Sequence, residues 1–173
     1  MQTRLLSGIL ALTLSAFAAG LPATQTFEGR WVLDKKKTSA SPKAPENLVQ
    51  QIKMDGSQMI VRSKFDQPKN GIYPILWVGI MSEEMRLATD GSESSKSIGP
   101  FEFRAKTNQD GNSLVTSYTA NMENGSAPGQ PEGSVEGQWI RNLSEDGRTM
   151  TLQMKSKCSD GRTIDTTLYF NRK

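Results

Sequence analysis

Apolar and polar residues exchange places at every step along several stretches of the chain. From Thr149 the run TMTLQMK sets Met150, Leu152 and Met154 on one face and Thr151, Gln153 and Lys155 on the other. Ile164, Thr166, Leu168 and Phe170 alternate in the same way with Asp165, Thr167 and Tyr169. A period of two marks a half-buried strand, because successive side chains of extended backbone point to opposite faces. The same pattern predicts strands over 29–34, 48–54, 59–61, 84–88, 101–106, 114–120 and 135–143. The stretch 72–80, IYPILWVGI, is apolar on both faces and carries Pro74, which predicts a bend or an edge position. That makes about ten strands, and no amphipathic helix competes with them.

Asp-Gly pairs punctuate the pattern. They open DGSQMIV at 55–61, DGNSLVT at 110–116, DGRTMTL at 146–152 and DGRTIDT at 160–166. Glycine accepts positive φ and Asp tolerates it, so each pair predicts a hairpin turn. The two DGRT copies begin 14 positions apart, which leaves one strand of about ten residues between them. Their turns then fall at opposite ends of a sheet. The repeat reads as architecture rather than chemistry, and the architecture is a meander.

Ten strands with polar outer faces must close or stack, since an open sheet would leave long edges unpaired. The expected fold is all-β, an up-and-down antiparallel barrel of about 8–10 strands, with a β-sandwich as the alternative. Three stretches, 34–47, 90–100 and 121–133, are rich in Gly, Pro, Ser or Asn. They predict long loops of the kind that ring a mouth.

The N-terminus follows another pattern. MQTRLLSGILALTLSAFAAG has one basic residue, Arg4, an apolar run and the small-residue site Ala16-Phe17-Ala18. This is the order of a secretory signal peptide over 1–18, with Gly20 and Ala23 as later cleavage points. The apolar run is shorter than a spanning helix needs, about 20 residues. A single domain over 19–173 is expected, exported to a periplasmic or extracellular space, with no integral membrane segment in the mature protein. An outer-membrane barrel would need two aromatic girdles, and three Trp and three Tyr are too few.

Charge and composition mostly exclude. The net charge is +3, and +2 once Arg4 is removed, too balanced for a nucleic-acid binder. Cys158 is the single cysteine, so no disulfide can form within the chain, and a buried inert thiol is expected. Histidine is absent, which removes His-based triads and His-dependent metal sites. Glu83 and Glu84 are adjacent and would face opposite ways on a strand, so they cannot share a proton. No nucleophile elbow, phosphate loop or zinc spacing appears. The chain reads as a non-enzyme without metal or cofactor.

The mature start, FEGRWVLDKKKT, resembles exported bacterial lipocalin-like domains of the calycin type, which open with G-x-W and continue W-x-L-D-x-x-K-T. The resemblance covers 29–38. It implies that Trp31, introduced by Gly29, plugs the closed end of the barrel. It also implies that Arg172, from the terminal LYFNRK, stacks on that ring.

Barrels of eight or more strands can hold a small ligand. Trp77, Phe103, Tyr118, Trp139, Met150 and Met154 are the candidate lining, for a small apolar or amphiphilic molecule. The alternative is a structural or protein-interaction domain of the cell envelope whose core these side chains fill.

Overall fold

The computed structural model describes residues 26–39, 44–66, 77, 79–80, 82–122 and 133–173. The leader over 1–18 lies outside them, as do most of 72–80 and the 123–132 part of the third loop.

Ten strands run in chain order: β1 (Gly29–Leu33), β2 (Val49–Asp55), β3 (Gln58–Lys64), β4 (Glu84–Ala88), β5 (Asp90–Ile98), β6 (Phe101–Asp110), β7 (Ser113–Met122), β8 (Ser134–Leu143), β9 (Thr149–Cys158) and β10 (Thr163–Arg172). They form one antiparallel sheet in the order β4-β3-β2-β1-β10-β9-β8-β7-β6-β5. Every neighbour is the next strand in sequence except β1 and β10, whose pairing of Trp31 with Arg172 and Leu33 with Phe170 joins the two ends of the chain. This is an up-and-down meander curled into a nearly closed barrel.

The Asp-Gly turns hold the meander together. Gly56, Gly111, Gly147 and Gly161 all have positive φ, between +53° and +88°. In both DGRT copies the Asp side chain folds back on the turn. Asp146 accepts from the Arg148 amide at 3.0 Å and Asp160 from the Arg162 amide at 3.0 Å. Backbone conformation and side-chain acceptor thus act together, and β9 is suspended between two copies of one device.

Closure between β4 and β5 is made differently. No ladder joins these terminal strands of the sheet. The Ala88 amide donates to Ser94 Oγ at 2.8 Å, and Lys96 Nζ donates to Ser82 Oγ at 2.9 Å and to the Glu84 carbonyl.

Two expectations change. The stretch from Asp90, expected as a loop, is strand β5. Its sequence DGSESSKSI has almost no apolar residue, so period two has nothing to display; pairing with β6 supplies the structure instead. Conversely, the described part of the apolar stretch 72–80 is a turn rather than strand: the Ile80 amide donates to the Trp77 carbonyl at 3.0 Å.

The core occupies the barrel interior. Every strand but β5 contributes fully buried residues, among them Trp31, Ile52, Met59, Leu87, Phe103, Leu114, Trp139, Leu152 and Phe170, and β5 adds the half-buried Ile98. Each fully buried large apolar side chain contributes about 1.5–3 kcal/mol. Phe27 and Leu48 add to this core from outside the strands.

Candidate functional site

The register of β6 to β10 stacks the interior in rows. One row reads Thr107, Thr116, Trp139, Met154 and Thr166; the next reads Ala105, Tyr118, Gly137, Ser156 and Ile164. Polar groups in these rows find partners across the sheet. Thr107 and Thr116 share a hydroxyl hydrogen bond of 2.8 Å, and Tyr118 and Ser156 share one of 2.5 Å. Burial pushes the Tyr118 phenol above its ordinary pKa, with the Ser156 bond pulling the other way.

All six candidate lining residues are buried. Phe103, Tyr118 and Trp139 form one aromatic group, with ring centroids 5.3, 5.5 and 4.4 Å apart. Such pairs add about 0.5–1.5 kcal/mol beyond their area. Trp77 is held by the turn that runs to Ile80. At Gly79 that turn presses on the aromatic group: a Cβ placed there would stand 2.0 Å from the Trp139 ring and 2.9 Å from Phe103. Only glycine lets the backbone approach so closely. Met154 lies beside Trp139, and Met150 lies two rows beyond it, paired with Phe170 and Leu143.

At the other end of the interior Trp31 is fully buried and donates from Nε1 to the Phe27 carbonyl at 2.8 Å. The Arg172 guanidinium carbon lies 4.6 Å from its ring centroid. Gly29, at φ +134°, adopts a backbone conformation that side chains disfavour, and lies in ordinary contact with the Arg172 side chain.

One interior residue was absent from the expected set. Arg141 is 2% exposed on β8, between Trp139 and Leu143 on the inward face, with Leu114 and Leu152 as its register partners. Its Nε and Nη1 have no hydrogen-bond partner, and it forms no ion pair among the described residues. Burial alone pushes the guanidinium down to about 10, so it remains charged at neutral pH. The Trp139 ring, 5.7 Å from the guanidinium carbon, offers cation–π attraction of about 0.5–2 kcal/mol. An uncompensated buried charge costs about 3–5 kcal/mol. The ring therefore does not balance the charge. Gln50 Oε1 and Trp77 Nε1 are likewise buried without partners.

Three open concavities bounded by described residues lie elsewhere. The largest, about 870 Å³, is on the outer face of β5–β10, where exposed Arg104, Lys106, Lys155 and Lys157 are interspersed with Glu93, Glu136 and Asp165. Another lies by the outward residues Gln51, Lys53 and Arg62, and a third under the β1–β2 connection. Tyr118 borders the largest of these with Ala105, Ser156 and Ile164, whereas Trp77, Phe103, Trp139, Met150 and Met154 line none of the three. Among the described residues no group of three or more Cys, Asp or Glu side chains could hold a metal ion, and no helix is long and apolar enough to cross a membrane. Cys158 is a buried free thiol, its pKa raised by that burial.

No family model and no curated protein sequence matches this chain. Solved structures do. The fatty acid transporter REP1-NXSQ aligns at TM-score 0.47 with 13% identity over 84% of this chain and 95% of its own. A variant of the fluorescent protein UnaG aligns at 0.46 with 13% identity over 85% and 96%. A heat-soluble SAHS protein from Ramazzottius varieornatus aligns at 0.47 with 11% identity over 87% and 100%. These are likenesses of overall arrangement, and no ligand or residue role passes from them to this chain.

Proposed function

We propose that this protein is an exported binding barrel that takes a small apolar or amphiphilic molecule into its interior, against Trp77, Phe103, Tyr118, Trp139, Met150 and Met154. The observation that carries this reading is a set of unpaired buried polar atoms among the described residues: Gln50 Oε1, Trp77 Nε1, Trp139 Nε1, Arg172 Nε and two nitrogens of Arg141. A buried donor or acceptor left unmade costs about 1–3 kcal/mol, which a core built only for stability has no reason to carry. A ligand with both apolar surface and polar atoms accounts for them. It enters where the Trp77–Ile80 turn now packs on Trp139 and Phe103. Export rests on the leader chemistry of residues 1–18.

A filled structural barrel is the second reading, and the close stacking of Phe103, Tyr118 and Trp139 under Gly79 favours it. Titration of the purified exported form with a neutral apolar fluorophore, and with 1-decanol as competitor, separates the two. Saturable uptake that is displaced by 1-decanol and weakened in Trp139→Ala supports the binding barrel. Absence of uptake by any apolar or amphiphilic probe leaves the filled core. N-terminal sequencing of protein recovered from outside the cytoplasm tests the leader; an uncut Met1 would refute it.

A further inference from the structure

We infer that the turns at Asp55-Gly56 and Asp110-Gly111 are sites of spontaneous isoaspartate formation, and that the two DGRT turns resist it. Five Asp-Gly pairs occur in the chain, at Asp55, Asp90, Asp110, Asp146 and Asp160. In each of them glycine puts no Cβ in the way of the reaction, so the dipeptide alone does not rank them. The reaction needs two free groups, the Asp carboxyl and the amide nitrogen of the glycine after it. The structure separates the pairs on both.

At the DGRT turns both groups are engaged. Asp146 accepts from Ser144 Oγ at 2.6 Å and from the Arg148 amide at 3.0 Å, and the buried Gly147 donates its amide to the Ser144 carbonyl at 2.8 Å. Asp160 accepts from the Arg162 amide at 3.0 Å and from Arg162 Nε at 2.6 Å, and the Gly161 amide donates to the Cys158 carbonyl at 3.0 Å. Asp90 accepts from the Ser92 hydroxyl at 2.7 Å and from the Ser92 amide at 3.0 Å. The Ser144 hydroxyl at Asp146, the Arg162 amide at Asp160 and the Ser92 hydroxyl at Asp90 hold these carboxyls below the ordinary carboxylate range. They stay ionised, and a carboxylate resists the attack that a neutral acid accepts. Asp55 and Asp110 differ. Both are exposed, and among the described residues their carboxylates have no hydrogen-bond or ion-pair partner. The exposed Gly56 and Gly111 amides donate to no described backbone carbonyl.

Water is the one co-reactant. The glycine nitrogen bonds to the Asp Cγ, and a carboxyl oxygen leaves as water with the amide proton and the carboxyl proton, closing a five-membered imide. Water then reopens the ring. Cleavage between nitrogen and Cγ restores Asp; cleavage between nitrogen and the main-chain carbonyl carbon leaves isoaspartate, with the chain routed through Cβ. The extra backbone atom falls in two-residue turns, whose registers pair Asp55 with Gln58 and Asp110 with Ser113. These turns also hold their neighbours: the Ser57 carbonyl accepts from the Thr89 amide at 2.7 Å, and the Asn112 carbonyl from the Leu143 amide at 3.0 Å. The lesion therefore loosens the rim that these turns share.

The test ages the purified protein at neutral pH and body temperature, folded in buffer and unfolded in concentrated urea. Isoaspartate is scored peptide by peptide, by isoaspartyl methyltransferase labelling and electron-transfer fragmentation. In the folded protein Asp55 and Asp110 are expected to convert at least about tenfold faster than Asp146 and Asp160, the rate cost of first breaking a charge-assisted hydrogen bond. In urea the rates should converge, since every site is Asp-Gly. Equal rates in the folded protein, or faster conversion at Asp146 or Asp160, overturn the inference. Conversion in urea with none in the folded protein also overturns it, because the hairpins alone would then protect. A difference that persists in urea would assign the ranking to local sequence and remove the structural argument. Asp55→Glu and Asp110→Glu, which must close a slower six-membered ring, should each silence their own site and leave the other unchanged.

Discussion

The Arg172 guanidinium lies over the Trp31 indole, 4.6 Å from the ring centroid, and the two residues are register partners on the last and first strands. One contact thus fastens the first strand to the last. Arg172 also donates from Nη2 to the Thr26 carbonyl, which ties the segment before β1 to the same point. Arg172→Met is expected to lower stability by about 0.5–2 kcal/mol, the range of a cation–π contact. Trp31→Ala, which empties a fully buried site, is expected to cost about 3–5 kcal/mol. Urea unfolding followed by circular dichroism measures both; equal effects would mean that the ring is valued only for its partner.

Gly79→Ala tests the turn. The new methyl group would meet Trp139 at 2.0 Å, too close for a rotamer change to relieve without moving the turn. The expected result is a loss of about 1–3 kcal/mol and a red shift of tryptophan emission as Trp77 leaves the interior. An unchanged spectrum would show that the turn does not sit on Trp139.

Arg141→Met should stabilise the protein or leave its stability unchanged. Replacing an unpaired buried charge with a well-packed apolar chain is commonly neutral or favourable by about 1–4 kcal/mol. The sign with pH follows from the lowered pKa. The penalty is full below about 10, where the native protein keeps the proton, and shrinks as pH rises above it toward the guanidinium's ordinary range. The gap between variant and parent should therefore be widest at neutral pH. A strong loss of stability in the variant would mean that the guanidinium holds a structural partner.

The Tyr118 phenol behaves in the opposite sense. Its native pKa is raised by burial, so the native state holds its proton after the unfolded chain has lost it. The contribution is fully present below the ordinary value of 10.0 and is lost as pH rises through the native pKa. Ultraviolet titration should show one tyrosine that ionises late, and Tyr118→Phe should abolish it. That substitution also leaves Ser156 Oγ without its interior partner.

How much of this could be read from residues alone depends on what each strand buries. Wherever one face is greasy, as in β9 with Met150, Leu152 and Met154, alternation located the strand to within a few residues. β5 has a polar residue at nearly every position and is held by the backbone of β6, so no periodicity could announce it. The interior set was visible by parity, since Phe103, Tyr118, Trp139, Met150 and Met154 all occupy inward positions of regular strands. Arg141 obeys the same parity, two residues after Trp139 and two before Leu143. Its charge concealed it, because a basic residue on a strand is ordinarily assigned to solvent. The Trp77 turn was beyond reach: an apolar stretch of that length suits a buried turn as well as a strand.

The seam between β4 and β5 has a mechanical consequence. Everywhere else around the circumference a stretch must break several backbone ladder bonds at once, whereas here Ser94 and Lys96 bridge with side chains alone. Fluctuations that widen the wall should begin along this line, and the amides of Glu84–Ala88 facing it should exchange with solvent before those of β7 to β9. Of the strand boundaries in the described barrel, this is the one that can part without breaking a backbone ladder.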